Sequence, residues 1–178
     1  LEDALKFING GCCIDIHSSG RTDKGVHAYN QYAHFDMDRN ITLYKLKCAL
    51  NTYTPDDIYI KDVRIVDNDF HARYSVLKKE YIYKLNVGEY NPVNRNYVYQ
   101  YNKKLDLDIL RCEIKNLIGT FDYSAFCNME DKKNSYVRTI YSADVYKSKD
   151  EIVFSFVGNG FLKYQVRNMV GALIECST

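Results

Sequence analysis

No apolar run in the sequence is long enough to cross a membrane as a helix, and the first residues do not read as a secretory signal. The expectation is a cytoplasmic protein with no membrane partner. Six cysteines are present, at positions 12, 13, 48, 112, 127 and 176, but no Cys-x-x-Cys and no histidine spacing suited to zinc. That absence excludes a zinc framework, and the adjacent Cys12-Cys13 pair points to opposite strand faces. Reduced, mostly buried thiols are expected. Charge of one sign is also missing: the net charge is +1, so a nucleic-acid partner requires positive charge gathered on one face. Tryptophan is absent, and the aromatic content is carried by 17 Tyr and 8 Phe. Tyrosine suits half-wet sheet faces and stacking on bases, and plain strand propensity accounts for it equally well. There is no low-complexity segment and no short-period repeat.

What is present is a mixture of both periodicities. Residues 2–9 read as the end of an amphipathic helix closed by Gly10-Gly11. Ile14 and Ile16 alternate with Asp15 and His17, and Ala33 and Phe35 with Tyr32, His34 and Asp36, as half-buried strands do. Leu43, Leu46, Leu50 and Tyr53 recur at helical spacing behind a candidate N-cap, Thr42, and Pro55 ends that helix. Ile58 to Val66 reads as a strand and Phe70 to Tyr74 as a short extended piece. From Glu80, Tyr81, Tyr83, Leu85 and Val87 face one way and Ile82, Lys84 and Asn86 the other; Tyr97, Tyr99 and Tyr101 repeat the pattern. Asp106 caps a helix with Leu107, Leu110, Ile114 and Leu117 inward. Residues 138–147 and 151–157 pair as a hairpin across Ser148-Lys149-Asp150. A last helix runs from about Leu162. The regular alternation of a doubly wound sheet is lacking, so the fold class is α+β: a largely antiparallel sheet with helices on one face. A boundary falls near Gly88–Asn96, dividing residues 1–90 from 91–178.

Between the first two strands lies Ser18-Ser19-Gly20-Arg21-Thr22-Asp23-Lys24-Gly25-Val26-His27-Ala28. Two glycines let the backbone turn sharply, and a carboxylate, a guanidinium and a hydroxyl are crowded together. Such a loop is either a polar turn stabilised by Asp23 or a site. In the last helix Val166, Met169, Val170 and Leu173 form the apolar stripe, and at about 100° per residue Arg167 falls on its edge. Gln165, Asn168 and Glu175 read as the outer face. An arginine at such an edge either snorkels to water or turns inward to a carboxylate, for which Asp23 is the candidate.

These residues resemble the TruA-type tRNA pseudouridine synthases. The resemblance rests on Gly20 to Ala28, Leu50-Asn51, Pro55-Asp56-Asp57-Ile58 and Phe70-His71-Ala72-Arg73-Tyr74-Ser75. It continues through Tyr81-Ile82-Tyr83 and Arg138-Thr139-Ile140 to Val166-Arg167-Asn168-Met169-Val170-Gly171. It implies two ferredoxin-like (RRM-like) halves, the first, residues 1–90, carrying the aspartate loop and the second, 91–178, the Arg167 helix. It also implies isomerisation of uridine to pseudouridine in the anticodon stem-loop of tRNA, with no cofactor and no metal, by a homodimer when full length. By motif, Asp23 takes the place of the essential aspartate, Arg167 that of its basic partner and Tyr81 that of the active-site tyrosine. Arg21 matches a loop arginine that positions or displaces the target nucleotide. Lys78 and Lys79, beside Tyr81, are candidate RNA contacts. Arg138 is either a phosphate contact or a surface strand residue, and Lys103-Lys104 and Lys132-Lys133 are either phosphate contacts or solvated turns. His27 and His71 are expected to satisfy backbone partners.

The chemistry suits these residue types. A C–N glycosidic bond is broken and a C–C bond made to the same sugar, so the base must leave the stack, rotate and be held. A carboxylate either attacks covalently or removes a proton on the way to a glycal-like intermediate. Both routes need it ionised, and a guanidinium keeps a carboxylate charged where burial alone favours protonation. The alternative is a non-catalytic ferredoxin-like RNA-binding module, or an inactive fragment of the enzyme. An acid-base hydrolase lacks a second catalytic carboxylate. The chain starts at Leu1 and stops within a helical pattern, so it is expected to be truncated at both ends. The family's amino-terminal strand is expected to be missing, which leaves one half short of an edge strand.

Overall fold

Leucine and isoleucine at helical spacing close a small core in the computed structural model, which describes residues 1–128 and 135–178. Lys132-Lys133 lies outside the described residues. By contacts the chain divides into two units, Leu1–Asp23 with Ala28–Val76, and Lys24–His27 with Leu77–Thr178. In the first unit, α1 (Glu2–Ile8) buries Ala4, Leu5 and Ile8. A two-residue antiparallel ladder follows, β1 (His17–Ser18) on β2 (Ala33–His34), with His17 opposite His34. Helix α2 (Leu43–Tyr53) packs Leu46 and Leu50 against α1 and Ile14. Its start is set by Thr42, whose hydroxyl accepts from the Lys45 N–H at 3.4 Å.

Two expectations for this unit are corrected. Residues 58–66 form no ladder among the described residues. Asn51 on α2 takes both backbone groups of Ile60 instead: the Ile60 N–H donates to Oδ1 at 2.7 Å, and Nδ2 donates to the carbonyl at 3.1 Å. Ile60 and Val63 then pack on the α1–α2 core. Residues 70–74 are a turn rather than an extended piece, because the N–H groups of Tyr74 and Ser75 both donate to the His71 carbonyl.

The second unit is a five-stranded sheet with helices on one face, which makes the chain α+β. Strand β3 (Lys79–Asn86) pairs in parallel with β4 (Tyr99–Gln100). Only those two residues of the tyrosine-rich stretch join the sheet, since Val98 turns back to the Asn94 carbonyl and Tyr101 to that of Asn86. Asp106 caps α3 (Leu107–Glu113), accepting from Asp108 N–H at 2.9 Å and Ile109 N–H at 3.1 Å. A 3-10 turn (Ile114–Leu117) leads to β5 (Gly119–Asp122). The hairpin of β6 (Val137–Ser148) and β7 (Glu151–Gly158) turns on Lys149, which adopts a left-handed φ of 54°. Strand order is β4-β3-β7-β6-β5, with every pair antiparallel except β3–β4.

The inward face of β7, Ile152, Phe154 and Phe156, meets Leu85, Ile140 and Val145 beneath α3 and α4 (Gln165–Cys176). Helix α4 begins three residues after the expected Leu162, at Gln165, following Tyr164 in a left-handed conformation (φ 66°). The cysteines are free, but the expected burial is wrong: five are exposed and only Cys127 is half-buried. No helix among the described residues is long and apolar enough to cross a membrane. Phe154 is completely buried at the centre of the sheet. Phe154→Ala is expected to lower the stability of the second unit by about 3–5 kcal/mol, read by denaturant unfolding with a probe in that unit.

Candidate active site

The loop after β1 is pinned at its base. The Ser19 N–H donates to the Tyr32 carbonyl at 2.8 Å, and the hydroxyl of Ser18 donates to the Gly20 carbonyl at 3.0 Å. Gln31 Nε2 donates to the same carbonyl. From that base the chain turns through Gly25, whose φ of 81° lies in the left-handed region that a side chain disfavours. Arg21 and Thr22 are exposed and Asp23 is half-buried. Asp23 closes the first stretch of the first unit; residues 24–27 belong to the second. There His27 Nε2 lies 3.3 Å from the Asn96 carbonyl, with its ring 4.6 Å from that of Tyr97. His27 thus meets a backbone partner, as expected.

The other candidate groups lie in the second unit. Tyr81 stands on β3 opposite Phe156 of β7, half-buried, with the Phe161 ring edge-on to it at 4.9 Å and 63°. Gly158 makes room for that ring. A Cβ on it would lie 3.2 Å from Phe161 Cζ and 2.7 Å from the Thr139 carbonyl of β6, closer than a side chain tolerates. Two residues along β3, burial raises the Tyr83 phenol above its ordinary range, and the positive charge of Arg167 pulls the other way. Arg167 is exposed on α4, directly after buried Val166, which agrees with its place at the edge of the apolar stripe. Its guanidinium lies over the Tyr164 ring at 5.1 Å, and Lys163 Nζ lies over the same ring at 5.5 Å. Two cations are thereby gathered at the start of α4.

Gln165 corrects the sequence reading. It was assigned to the outer face and is fully buried. It is the first residue of α4, and its Oε1 accepts from the Leu162 N–H at 2.8 Å while its own N–H donates to the Leu162 carbonyl. The helix therefore starts from an inward-turned amide two residues before Arg167. Its Nε2 has no partner among the described residues.

Of the other basic candidates, Lys78 is exposed and Lys79 opens β3 across from Gly158. Arg138 of β6 spends one arm on its own strand: Nη1 donates to the carbonyls of Val137 at 2.6 Å and Ser135 at 3.2 Å. Tyr81, Tyr83 and Arg167 are thus gathered on the helix-covered face of one sheet.

In the first unit, three imidazoles from separate segments come together, a grouping not foreseen from the sequence. His17 and His34 stack at 5.1 Å, and His71 lies 4.7 Å from His34 and 5.5 Å from His17. His34 Nδ1 accepts from the Ala72 N–H and His71 Nδ1 from the Arg73 N–H, each at 3.1 Å. Partial burial, and then the neighbouring His34 and His17, hold the His71 pKa below its ordinary value. The alternation of His17 and His34 on their strands was visible; the register that puts them opposite each other was not.

A family model described as tRNA pseudouridine synthase matches residues 1–75 and 114–178. The matched blocks contain Arg21, Asp23, Arg138 and Arg167, while Lys78, Lys79 and Tyr81 fall between them. The chain is 42% identical over 175 residues to tRNA pseudouridine synthase A of Anoxybacillus flavithermus, covering 98% of this chain and 71% of that protein. It is 43% identical over 176 residues to tRNA pseudouridine synthase A 1 of Bacillus cereus, with 98% and 71% covered. The same identity extends over 178 residues of tRNA pseudouridine synthase A from Streptococcus uberis, again with 98% and 71% covered.

Because His71 binds its proton less readily in the folded chain than an ordinary imidazole does, the unfolded state holds more protons at mildly acid pH. Its contribution to stability is complete above about pH 6.5 and is lost as pH falls through the lower folded value. The unfolding midpoint of the first unit is expected to drop between about pH 7 and about pH 5, and His71→Gln to flatten that dependence. An equally steep fall in the variant would assign the effect to another group.

Proposed function

The chain belongs to the tRNA pseudouridine synthase family, and from that membership we propose that it isomerises uridine to pseudouridine in tRNA, in the anticodon stem-loop. The observation that supports this most strongly is identity of 42–43% sustained over 98% of the chain, with Asp23 and Arg167 both inside the family's matched blocks. We further propose the cytoplasm as its location and a homodimer as the form in which the full-length protein acts.

In this reading Asp23 is the reacting carboxylate. It attacks C1′ as the N1–C1′ bond breaks, or it removes the 2′ proton so that the sugar passes through a glycal. The uracil leaves as an anion in either case and turns. C5 then bonds to C1′ as the aspartyl–C1′ bond breaks or, in the glycal route, as the proton taken by Asp23 returns to C2′. The proton on C5 is then lost and N1 is protonated. Arg167 is the candidate for the positive charge that such chemistry needs, since a guanidinium favours the ionised form of a reacting carboxylate. Tyr81 offers a ring for the uracil face and a hydroxyl that relays a proton. The Phe161 ring supports this role, since its edge-on contact holds the Tyr81 ring in place. Arg21, exposed on the loop, contacts the displaced nucleotide, with Lys78, Lys79 and Arg138 on phosphates. No step of this scheme calls for a cofactor.

Asp23→Asn keeps size and polarity and removes the charge. Pseudouridine formation, read by tritium release or by mapping modified uridines in tRNA, is expected to fall by at least about 1000-fold while tRNA binding survives. A variant that keeps both its binding and its activity would reduce Asp23 to a turn residue. Tyr81→Phe retains the ring and loses the hydroxyl. Its kcat is expected to fall by about 100-fold with KM little changed, the scale of a lost proton relay.

A further inference from the structure

Apart from the groups assigned to catalysis, the first unit concentrates its side-chain chemistry in a run of rings. Tyr74 lies 4.4 Å from His71, His71 lies 4.7 Å from His34, and His34 stacks on His17 at 5.1 Å with 24° between planes. Phe70 meets His34 edge-on at 6.0 Å. The rings come from β1, β2 and the 70–74 turn, so tertiary contacts and not local sequence assemble the cluster, in which His71 stands edge-on to His34 at 63°.

Three properties narrow what it recognises. First, its inner rings are pinned: backbone N–H groups of Ala72 and Arg73 donate to the Nδ1 atoms of His34 and His71. Second, those two rings are neutral, because an Nδ1 that accepts a hydrogen bond leaves the single proton on Nε2. A neutral stack is a poor anion trap, and no grouping of histidines, cysteines or carboxylates among the described residues could hold a metal ion. Third, the stack ends in an open aromatic face. Tyr74 is 77% exposed although one side of its ring packs on His71. Exposed Arg73 adjoins it in sequence, and exposed His17 stands one residue before the Ser18–Ala28 loop. The open face of one tyrosine, on a neutral, hydrogen-bonded support beside a cation, fits the π-face of an unpaired nucleobase whose phosphate meets the arginine.

We propose that Tyr74, backed by His71, His34 and His17, is a stacking platform for an unpaired base of the RNA substrate, with Arg73 on the adjoining phosphate. This rests on the reading of the chain as a tRNA-modifying protein and adds a binding element to it, outside the reacting groups.

The test is tRNA binding by the whole chain and its Tyr74→Ala, Tyr74→Phe and Arg73→Ala variants, with pseudouridine formation measured on the same samples. Tyr74→Ala is expected to weaken Kd roughly tenfold, within the range of about 5- to 150-fold for losing one base stack, and Tyr74→Phe to stay within about twofold of the parent. Because Tyr74 is exposed, the melting temperature of Tyr74→Ala should match that of the parent. The slope of log Kd against log salt should be unchanged in Tyr74→Ala and shallower by about 0.7–0.9 in Arg73→Ala. Parent-like binding by Tyr74→Ala overturns the platform, as does equal weakening by Tyr74→Phe, which would mean the hydroxyl and not the ring makes the contact. If the parent modifies tRNA and Tyr74 proves irrelevant to binding, the platform alone fails. If binding depends on Tyr74 but no pseudouridine forms, the catalytic reading alone fails.

Discussion

The second unit depends on the burial of one face of β7. Ile152, Phe154 and Phe156 point inward at every second position and are sealed by α3 and α4. Because β3 and β6 flank β7 on either side, the same burial orders both neighbours. Tyr81, Tyr83 and Leu85 must face the helices when Phe156, Phe154 and Ile152 opposite them do, since a slip of one residue would exchange the faces. Tyr81, proposed to act on the base, is set between two phenylalanines, Phe156 opposite it and Phe161 edge-on to its ring.

A second principle runs through both units: single polar side chains take over backbone groups where regular pairing stops. Asn51 holds residue 60 on α2, and Gln165 starts α4 from the buried side. Buried Asn86 ends β3. Its Oδ1 accepts from the Gly88 N–H, and its Nδ2 donates to the Glu89 carbonyl and to Gln100 Oε1. His34 and His71 do the same for the 70–74 turn through their Nδ1 atoms. Each pin satisfies groups that would otherwise be costly to leave unpaired, and each shapes a loop rather than a strand or helix core. Candidate functional groups cluster next to these pins: Arg167 two residues after Gln165, Tyr74 within the histidine-pinned turn.

Local signals in the sequence located much of this. Thr42 and Asp106 marked helix starts because a side-chain oxygen four or fewer residues from its N–H partner needs no tertiary help. The β6–β7 hairpin was legible because a short polar turn separates two strongly alternating runs, although Ser148, read as part of the turn, ends β6, and the Ser18–Ala28 loop because glycines and charges interrupt two such runs. The failures share a cause. Residues 58–66 have strand composition, but a ladder needs a partner, and Asn51 fills that place. Gln165 looked like an outer-face residue because it is polar, whereas its place four residues before Met169 and its bond to the Leu162 N–H turn it inward. The cysteines looked buried by type, whereas their positions, not their chemistry, decided their exposure.

Periodicity and capping therefore determined the α+β class and most of the helices and strands, because each is a property of residues near one another in the chain. Tertiary structure alone decided that three histidines meet in one cluster, that Phe161 braces Tyr81 across the space left by Gly158, and that Arg167 lies within electrostatic reach of Tyr83. Those are distances between segments brought together by sheet register and helix packing, and packing is settled by the burial of whole faces, which no short window of sequence contains.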